Sequence, residues 1–185
     1  MKKFSQLFII VCFVLLNVQL VSAGQAWSDE SYDFSKAHKF LIAEPNYTAV
    51  VGGSTVEEVK NVMYLQAQYL NMYPITTAEV DKNILRDSSI DLAKLRIEDA
   101  KQAESIFNSE MEKYTDLYMV ATIVHNTRVM IFYDVYSAQT KQPVFTYQIV
   151  ASSTDEDNLM TYKQLTKRFY KEFNKAINKS IKAKK

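Results

Sequence analysis

The run Gly52-Gly53-Ser54-Thr55 holds the residues best suited to binding chemistry. It follows a strand-like segment and precedes residues with helical spacing, and the free N–H groups at the start of a helix can hold an anion. The run lacks the lysine and the spacing of a phosphate-binding loop. Gly, Ser and Thr are also the residues of an ordinary turn and helix cap. The sequence therefore offers an anion or small-ligand turn and, as the alternative, a helix N-terminus with no ligand.

A basic stripe near the C-terminus is the second candidate site. Lys163, Lys167, Lys171 and Lys175 recur every four residues, with Arg168 beside them. On a helix this spacing places them on one face, which can contact an acidic partner or an anionic membrane surface. A solvated face with lysines that complement the helix dipole is the alternative.

Metal, thiol and catalytic chemistry have little support in the sequence. The two histidines, His38 and His125, lie in different predicted elements, and no carboxylates flank them with the spacing of a metal site. The only cysteine is Cys12, inside an apolar N-terminal segment. No serine lies in a nucleophile motif with a base and an orienting acid. We therefore expect no catalytic residues, no metal, no cofactor and no enzymatic activity.

The N-terminal segment predicts export. Lys2 and Lys3 precede an apolar stretch over residues 7–16, and small residues end the segment at Ala23. This is the pattern of a secretory signal peptide, and the apolar stretch is shorter than the roughly 20 residues that cross a bilayer. We expect cleavage between Ala23 and Gly24 and a periplasmic or extracellular location. Cys12 then leaves with the segment.

Composition predicts one domain with nearly balanced charge. The sequence has 22 Lys and Arg residues against 21 Asp and Glu residues, which disfavours electrostatic capture of nucleic acid because such domains are usually strongly basic. After the signal peptide at 1–23, we expect a polar lead-in at 24–36, a single α+β domain at 37–179 and a basic tail at 180–185.

Capping residues and apolar spacing predict the elements of the first half. Ser54 with Glu57, and Thr76 with Glu79, have the spacing of capping boxes at helix starts. The predicted elements are a strand at 39–44, a helix at 54–74, a brief strand at 75–76, a short helix after Thr76 and a helix at 97–114.

The second half reads as three strands and a long helix. Segments 117–125, 128–136 and 143–150 are rich in β-branched and aromatic residues and are separated by polar turns, which predicts an antiparallel meander. We expect Val129, Ile131, Tyr133 and Val135 to face the core. Acids at 155–157 precede the last helix, whose apolar stripe is Leu159, Tyr162, Leu165, Phe169, Phe173 and Ile177. The predicted order is β-α-β-α-α-β-β-β-α, a mixed sheet with helices packed on it.

Four segments, 32–35, 40–43, 114–120 and 135–144, give the chain a resemblance to bacterial cell-envelope domains. It resembles the amino-terminal domain of the Tol propeller protein, the curli-secretion lipoprotein and related lipoprotein families of unknown function. In those families an aspartate like Asp116 opens the meander. Ser137 stands where they carry an aspartate in the later turn, and no lipoprotein cysteine follows the signal. The resemblance implies an envelope scaffold or interaction module.

The sequence as a whole predicts an exported, non-enzymatic binding or scaffold domain whose partner is another envelope protein. The alternative is a periplasmic protein that binds a small ligand or anion at the Gly52–Thr55 turn. The identity of the partner and the oligomeric state stay open, as does contact of the last helix with a membrane surface.

Overall fold

A computed structural model describes residues 24–126, 128–152 and 157–183, so the predicted signal peptide and the acids at 155–156 lie outside the described residues. It contains a six-stranded mixed sheet and five helices, which confirms the predicted α+β class. The strands are β1 (Gln25–Ser28), β2 (Lys39–Ile42), β3 (Tyr73–Thr76), β4 (Leu117–His125), β5 (Val129–Ser137) and β6 (Pro143–Val150). The helices are α1 (Val56–Gln66), α2 (Thr77–Ser88), α3 (Leu92–Glu98), α4 (Ala100–Glu110) and α5 (Leu159–Ala183).

The sheet has the strand order β1-β6-β5-β4-β2-β3. Strands β4, β5 and β6 form the predicted antiparallel meander. Strand β2 runs parallel to both of its neighbours, β3 and β4. Helices connect these parallel strands, as parallel pairing requires.

Two capping boxes fix the starts of α1 and α2. At α2 the predicted pair is confirmed, since Thr76 accepts from the Glu79 N–H and Glu79 accepts from the Thr76 N–H. At α1 the prediction is one residue early, because the box is made by Thr55 and Glu58 instead of Ser54 and Glu57. Thr55 supplies the extended backbone that an N-cap requires.

Two predicted helices are shorter in the structure. The helix expected over 54–74 ends at Gln66, and a 3₁₀ turn over Ala67–Tyr69 follows it. The helix expected over 97–114 is divided at Asp99, which is extended and caps α4 by accepting from the Gln102 N–H. Apolar periodicity does not register this break because a single extended residue, Asp99, separates the two helices.

The main core lies between the sheet and the helices α1 and α5, on what we call the inner face. The four β5 residues expected to face the core are buried there. The α5 stripe is confirmed except for Leu159, which is 37% exposed at the helix start. Phe169 stacks on Tyr133 with ring centroids 4.3 Å apart, and the Tyr133 hydroxyl lies 2.9 Å from that of Thr166. This packing holds α5 against the meander.

A smaller core lies on the opposite face of the sheet. Helices α2, α3 and α4 cover only the β2 and β3 end of that face. Leu41 and Ile75 from the strands pack there against side chains that include Val80, Ile84 and Leu92.

The segment expected to be a polar lead-in contains two ordered elements. Strand β1 pairs antiparallel with β6, and a 3₁₀ turn over Phe34–Lys36 buries the Phe34 ring against Phe173. A four-residue segment with one large apolar residue carries almost no strand signal of its own, because its pairing depends on β6. At the other end, α5 continues to Ala183 through the start of the expected basic tail.

Candidate functional site

The sheet face opposite α1 and α5 is only half covered among the described residues. The smaller core ends at Tyr118, whose ring stacks on Tyr136 with centroids 5.1 Å apart. Beyond this pair no described helix side chain belongs to the face of β4, β5, β6 and β1. Directly paired residues share a face. The register gives what we call the outer face: Gln25, Trp27, Val120, Thr122, Val124, Met130, Phe132, Asp134, Tyr136, Thr146, Gln148 and Val150.

The outer face has one concave point. A depression of about 280 Å³ is lined by residues that include Trp27, Phe132 and Asp134. One row of directly paired residues crosses β1, β6, β5 and β4 at this point: Trp27, Thr146, Asp134 and Val120. Trp27 is 50% exposed. Two aromatic rings therefore flank a carboxylate on a face that is otherwise uncharged.

Among the described strand residues, Asp134 is the only charged side chain of the outer face. Its cross-strand neighbours, Val120 and Thr146, are uncharged, and among the described residues no hydrogen-bond donor or cation pairs with its carboxylate. Burial raises the pKa of this carboxyl above its ordinary value, because the charged form loses water without gaining a partner. Burial also raises the pKa of Tyr136, and the nearby Asp134 charge adds to that rise.

A second concave region lies at the carboxyl ends of β2 and β3. The chain leaves β2 toward α1 on the inner face and leaves β3 toward α2 on the opposite face. Where two adjacent parallel strands connect to helices on opposite faces of the sheet, a crevice opens between the connections. Ligands often bind in this crevice in α/β sheets. The crevice has a volume of about 900 Å³ and includes Tyr64, Thr76, Ala100, Glu104 and Phe107 in its lining, which is large enough for a small organic ligand.

The crevice carries charges of both signs, and its cations are already paired. Lys60 lies 2.7 Å from Glu57 and 3.3 Å from Glu44, and the hydrogen bond to Glu57 raises the pKa of Lys60. Arg96 binds Asp81 through two nitrogens at 2.5 and 2.9 Å and lies 5.8 Å from the centre of the Phe107 ring. These pairs favour a ligand with both charge signs over a simple anion.

The predicted anion turn lies between two carboxylates. Glu58 accepts from the Thr55 N–H at 2.8 Å, and a Cβ built on Gly53 would meet Asp157 Oδ2 at 2.7 Å. The Ser54 carbonyl accepts from Tyr47, whose hydroxyl is also 2.8 Å from Asp157. A further anion at Gly52–Thr55 would be repelled by both acids.

The basic stripe lies on the solvent side of α5, but two of its members make local contacts. Lys167 Nζ lies 4.5 Å from the centre of the Tyr69 ring, and Lys175 pairs with Glu172 at 2.7 Å. Lys163, Arg168 and Lys171 are exposed. These three cations of the stripe make no described hydrogen bond or ion pair.

The two histidines lie apart from each other. The His38 N–H and the Lys39 N–H both donate to Asp116 Oδ2 at 2.8 Å, so the aspartate that opens the meander joins β2 to β4. His125 Nδ1 lies 3.8 Å from Asp157.

Within residues 24–126, 128–152 and 157–183 no group of three or more His, Cys, Asp and Glu side chains could hold a metal. In the same ranges no helix is both long and apolar enough to cross a membrane.

Sequence reasoning found part of the outer face. The alternation in 128–136 predicts that Phe132 and Asp134 lie on the face opposite the core residues. It does not predict whether a helix packs over that face. Trp27 lies in the segment that the sequence predicts to be a polar lead-in. The one available signal was that the only tryptophan of the chain stands in that polar segment.

No protein-family model matches the sequence, and no curated protein matches it. Two similar solved structures are PelC dodecamers from Paraburkholderia phytofirmans. One, a single-substitution variant, has 5% identity and a TM-score of 0.44. The other has 7% identity and a TM-score of 0.42. Each covers 79% of this chain and 94% of the PelC chain. A third is lipoprotein GNA1162 from Neisseria meningitidis, with 10% identity and a TM-score of 0.44 over 74% of this chain and 96% of that chain. These structures do not confirm the Tol or curli-secretion resemblance.

Proposed function

We propose that this protein is an exported, non-enzymatic binding domain of the cell envelope that docks a partner protein on its outer face. The observation that carries the proposal is an outer face that no described helix covers, where apolar and aromatic side chains surround a carboxylate with no described partner. The predicted signal peptide supplies the compartment, and the resemblance to envelope domains supports the same interpretation.

The composition of the outer face supports protein docking. Exposed contiguous apolar surface marks interaction sites in soluble proteins, and aromatic residues are enriched where partners dock. Met130, Phe132 and Tyr136 alternate along β5 on the outer face and are half-buried there. Trp27 and Val124, at 50% and 45% exposure, extend it toward β1 and the end of β4.

Asp134 defines the chemistry of the partner. A desolvated carboxylate without a cation is unfavourable in the free protein, and a cation from a partner would relieve that cost. The flanking Trp27 and Phe132 rings would add a cation–π contact with a lysine or arginine side chain. We therefore expect an apolar partner surface from which one Lys or Arg enters the Trp27–Phe132–Asp134 depression.

Site-specific photocrosslinking in the native envelope tests the proposal. A photoreactive amino acid at Phe132 should form an adduct of one defined mass. The same probe at Lys101, an exposed residue of α4, is the matched control and should not form it. Asp134→Lys should abolish the Phe132 adduct because two cations would then meet, whereas Asp134→Glu should retain it.

Several results would refute docking at this face. An absence of any adduct from Phe132, an equal adduct from Lys101, or a Phe132 adduct unchanged by Asp134→Lys would each do so. Far-UV circular dichroism of the purified variants establishes that a lost adduct does not reflect an unfolded domain.

The crevice favours a second function, the binding of a small ligand. The crevice lies at the ends of β2 and β3, and its lining combines the rings of Tyr64 and Phe107 with charges of both signs. These features suit a zwitterionic amphipathic molecule. A thermal-shift screen of zwitterionic amino acids and dipeptides should find compounds that stabilise the protein. Ala100→Trp should remove that stabilisation by filling the crevice. A screen without stabilising compounds, or equal stabilisation of the variant, would contradict this function.

A further inference from the structure

The two edges of the sheet differ in their capacity to accept another strand. At the β3 edge, the Tyr73 N–H donates inward to the His38 carbonyl at 2.8 Å. The backbone groups of Tyr73 and Ile75 therefore point toward β2, and those of Pro74 and Thr76 point outward. Pro74 has no N–H to donate. The Thr76 N–H already donates to Glu79 at 2.7 Å. This edge is closed to strand addition because it presents no free donor.

The β1 edge is open among the described residues. The Asp29 N–H donates to the Val144 carbonyl at 2.9 Å. Because the direction of the backbone groups alternates along a strand, the N–H and C=O groups of Trp27 and Gln25 also point toward β6. Ala26 and Ser28 therefore direct their N–H and C=O groups outward, and no described residue bonds to them. Natural edge strands are protected by Lys, Pro or a bulge, and the β1 sequence Gln-Ala-Trp-Ser has neither Lys nor Pro.

We infer that the β1 edge binds a second copy of this chain, with the two β1 strands antiparallel about a two-fold axis through Trp27. This register pairs Ala26 with Ser28 of the second copy and satisfies both outward donors and both outward acceptors of each strand. It places the two Trp27 side chains opposite each other on the outer face. The two sheets then form one continuous twelve-stranded sheet.

Charge complementarity favours a second copy over an unrelated strand. The same register places Gln25 opposite Asp29 of the second copy, so that Gly24 lies at the end of β1 next to that acid. Glu30 follows Asp29 in the turn after β1. Cleavage after Ala23, as the sequence predicts, would create an ammonium group at Gly24. That cation would face the two acids at the far end of the other β1, where Glu30 is 84% exposed despite its 3.1 Å contact with Lys179. Strand β1 itself carries no charge that would oppose pairing.

The size of the contact predicts a weak, concentration-dependent dimer. A four-residue strand pair with one Trp pair buries less than the roughly 1,200 Å² of a stable interface. The hydrogen bonds of the dimer come from the backbone of the β1 edge and do not involve Asp134, although Trp27 belongs both to the dimer contact and to the Trp27–Phe132–Asp134 depression.

Disulfide trapping of the exported chain tests the dimer. A non-hydrogen-bonded antiparallel pair has Cα atoms roughly 4.5 Å apart, within disulfide range. Trp27→Cys should form a linked dimer on a non-reducing gel about tenfold more than Val124→Cys. Val124 has a similar exposed fraction, 45% against 50% for Trp27, and lies on the same face in β4, three strands from β1. Equal or absent linkage of the two variants would overturn the inference, as would linkage of Trp27→Cys only to a different protein.

Sedimentation velocity of the purified exported chain provides a test without a cysteine. Ala26→Pro removes an outward N–H and should convert the concentration-dependent dimer to monomer, whereas Ala26→Thr keeps the N–H and should dimerise. A wild-type chain that stays monomeric at all concentrations would overturn the inference. Asp134→Lys should leave the dimer intact while removing the partner adduct, so failure of the dimer and failure of the proposed function give different results.

Discussion

Asp134 and Asp116 show how position alone decides what an aspartate does in this protein. Asp116 lies just before β4 and accepts two backbone N–H groups, so these hydrogen bonds stabilise the fold. Asp134 lies among apolar side chains and gains no such bond, so its charge opposes folding. The unpaired charge on an uncovered face is the main residue-scale sign of a binding role.

Opposite stability effects should follow from removing the two carboxylates. Because the pKa of Asp134 is raised in the folded state, ionisation lowers stability as pH rises from the ordinary value of 3.8 through the folded-state pKa. Asp134→Asn should therefore be more stable than wild type at neutral pH and equal to it below pH 3.8. Urea unfolding across pH measures the difference, and a less stable variant at neutral pH would contradict it.

Asp116→Ala is the contrasting change. It leaves the His38 and Lys39 N–H groups without their acceptor and should lower the free energy of unfolding by about 2 kcal/mol at neutral pH. The same urea titrations measure it. An unchanged free energy of unfolding would contradict the prediction, because it would show that water replaces this carboxylate as the acceptor at no cost.

The buried hydroxyl pair of Tyr133 and Thr166 gives a further residue-scale prediction. Both side chains are fully buried, so Tyr133→Phe or Thr166→Val alone leaves one hydroxyl without a described partner and should cost about 1–3 kcal/mol. The double variant should lose less than the sum of the single losses. Thermal unfolding of the four proteins completes the cycle, and strictly additive losses would mean that the two hydroxyls are not coupled.

At the scale of elements, sequence reasoning succeeds where a pattern is long and fails where an element depends on its neighbours. The meander and the α5 stripe were predicted because alternation and helical spacing persist over many residues. Strand β1 was missed because only β6 makes it a strand. The division of α3 from α4 was missed because Asp99 interrupts the apolar spacing too briefly to register.

The capping boxes allow an element-scale prediction. Thr76→Ala removes the acceptor for the Glu79 N–H and should lower the free energy of unfolding by about 1 kcal/mol. Thr55→Ala, in the equivalent box of α1, is the matched variant and should cost a similar amount. Urea denaturation measures both, and an unchanged midpoint in either variant would show that its box does not stabilise the helix.

At the scale of the whole molecule, the helices leave the sheet with one closed face and one half-open face. Among the described residues, α1 and α5 cover the inner face, and the opposite face is covered only at β2, at β3 and at Tyr118 of β4. Sequence alternation could identify which residues leave the core, but whether a helix then covers them depends on where α2, α3 and α4 pack. The candidate docking site is therefore a property of the assembled fold.

Export gives a prediction for the whole chain. Signal peptidase should cleave after Ala23, so the exported protein should begin at Gly24 and contain no cysteine. Intact mass spectrometry of the protein from the periplasm or medium measures this. A mature protein that retains residues 1–23 would contradict it.

A charge-reversal rescue tests the central claim, that a partner cation enters the Trp27–Phe132–Asp134 depression. Asp134→Lys should weaken binding of the partner captured at Phe132 by roughly thirtyfold, as measured by calorimetry with purified proteins. Replacing the contacting Lys or Arg of the partner by Glu should restore affinity for the Asp134→Lys variant and not for the wild type. Unweakened binding of Asp134→Lys, or failure of every acidic replacement in the partner's contact surface to restore it, would contradict the account.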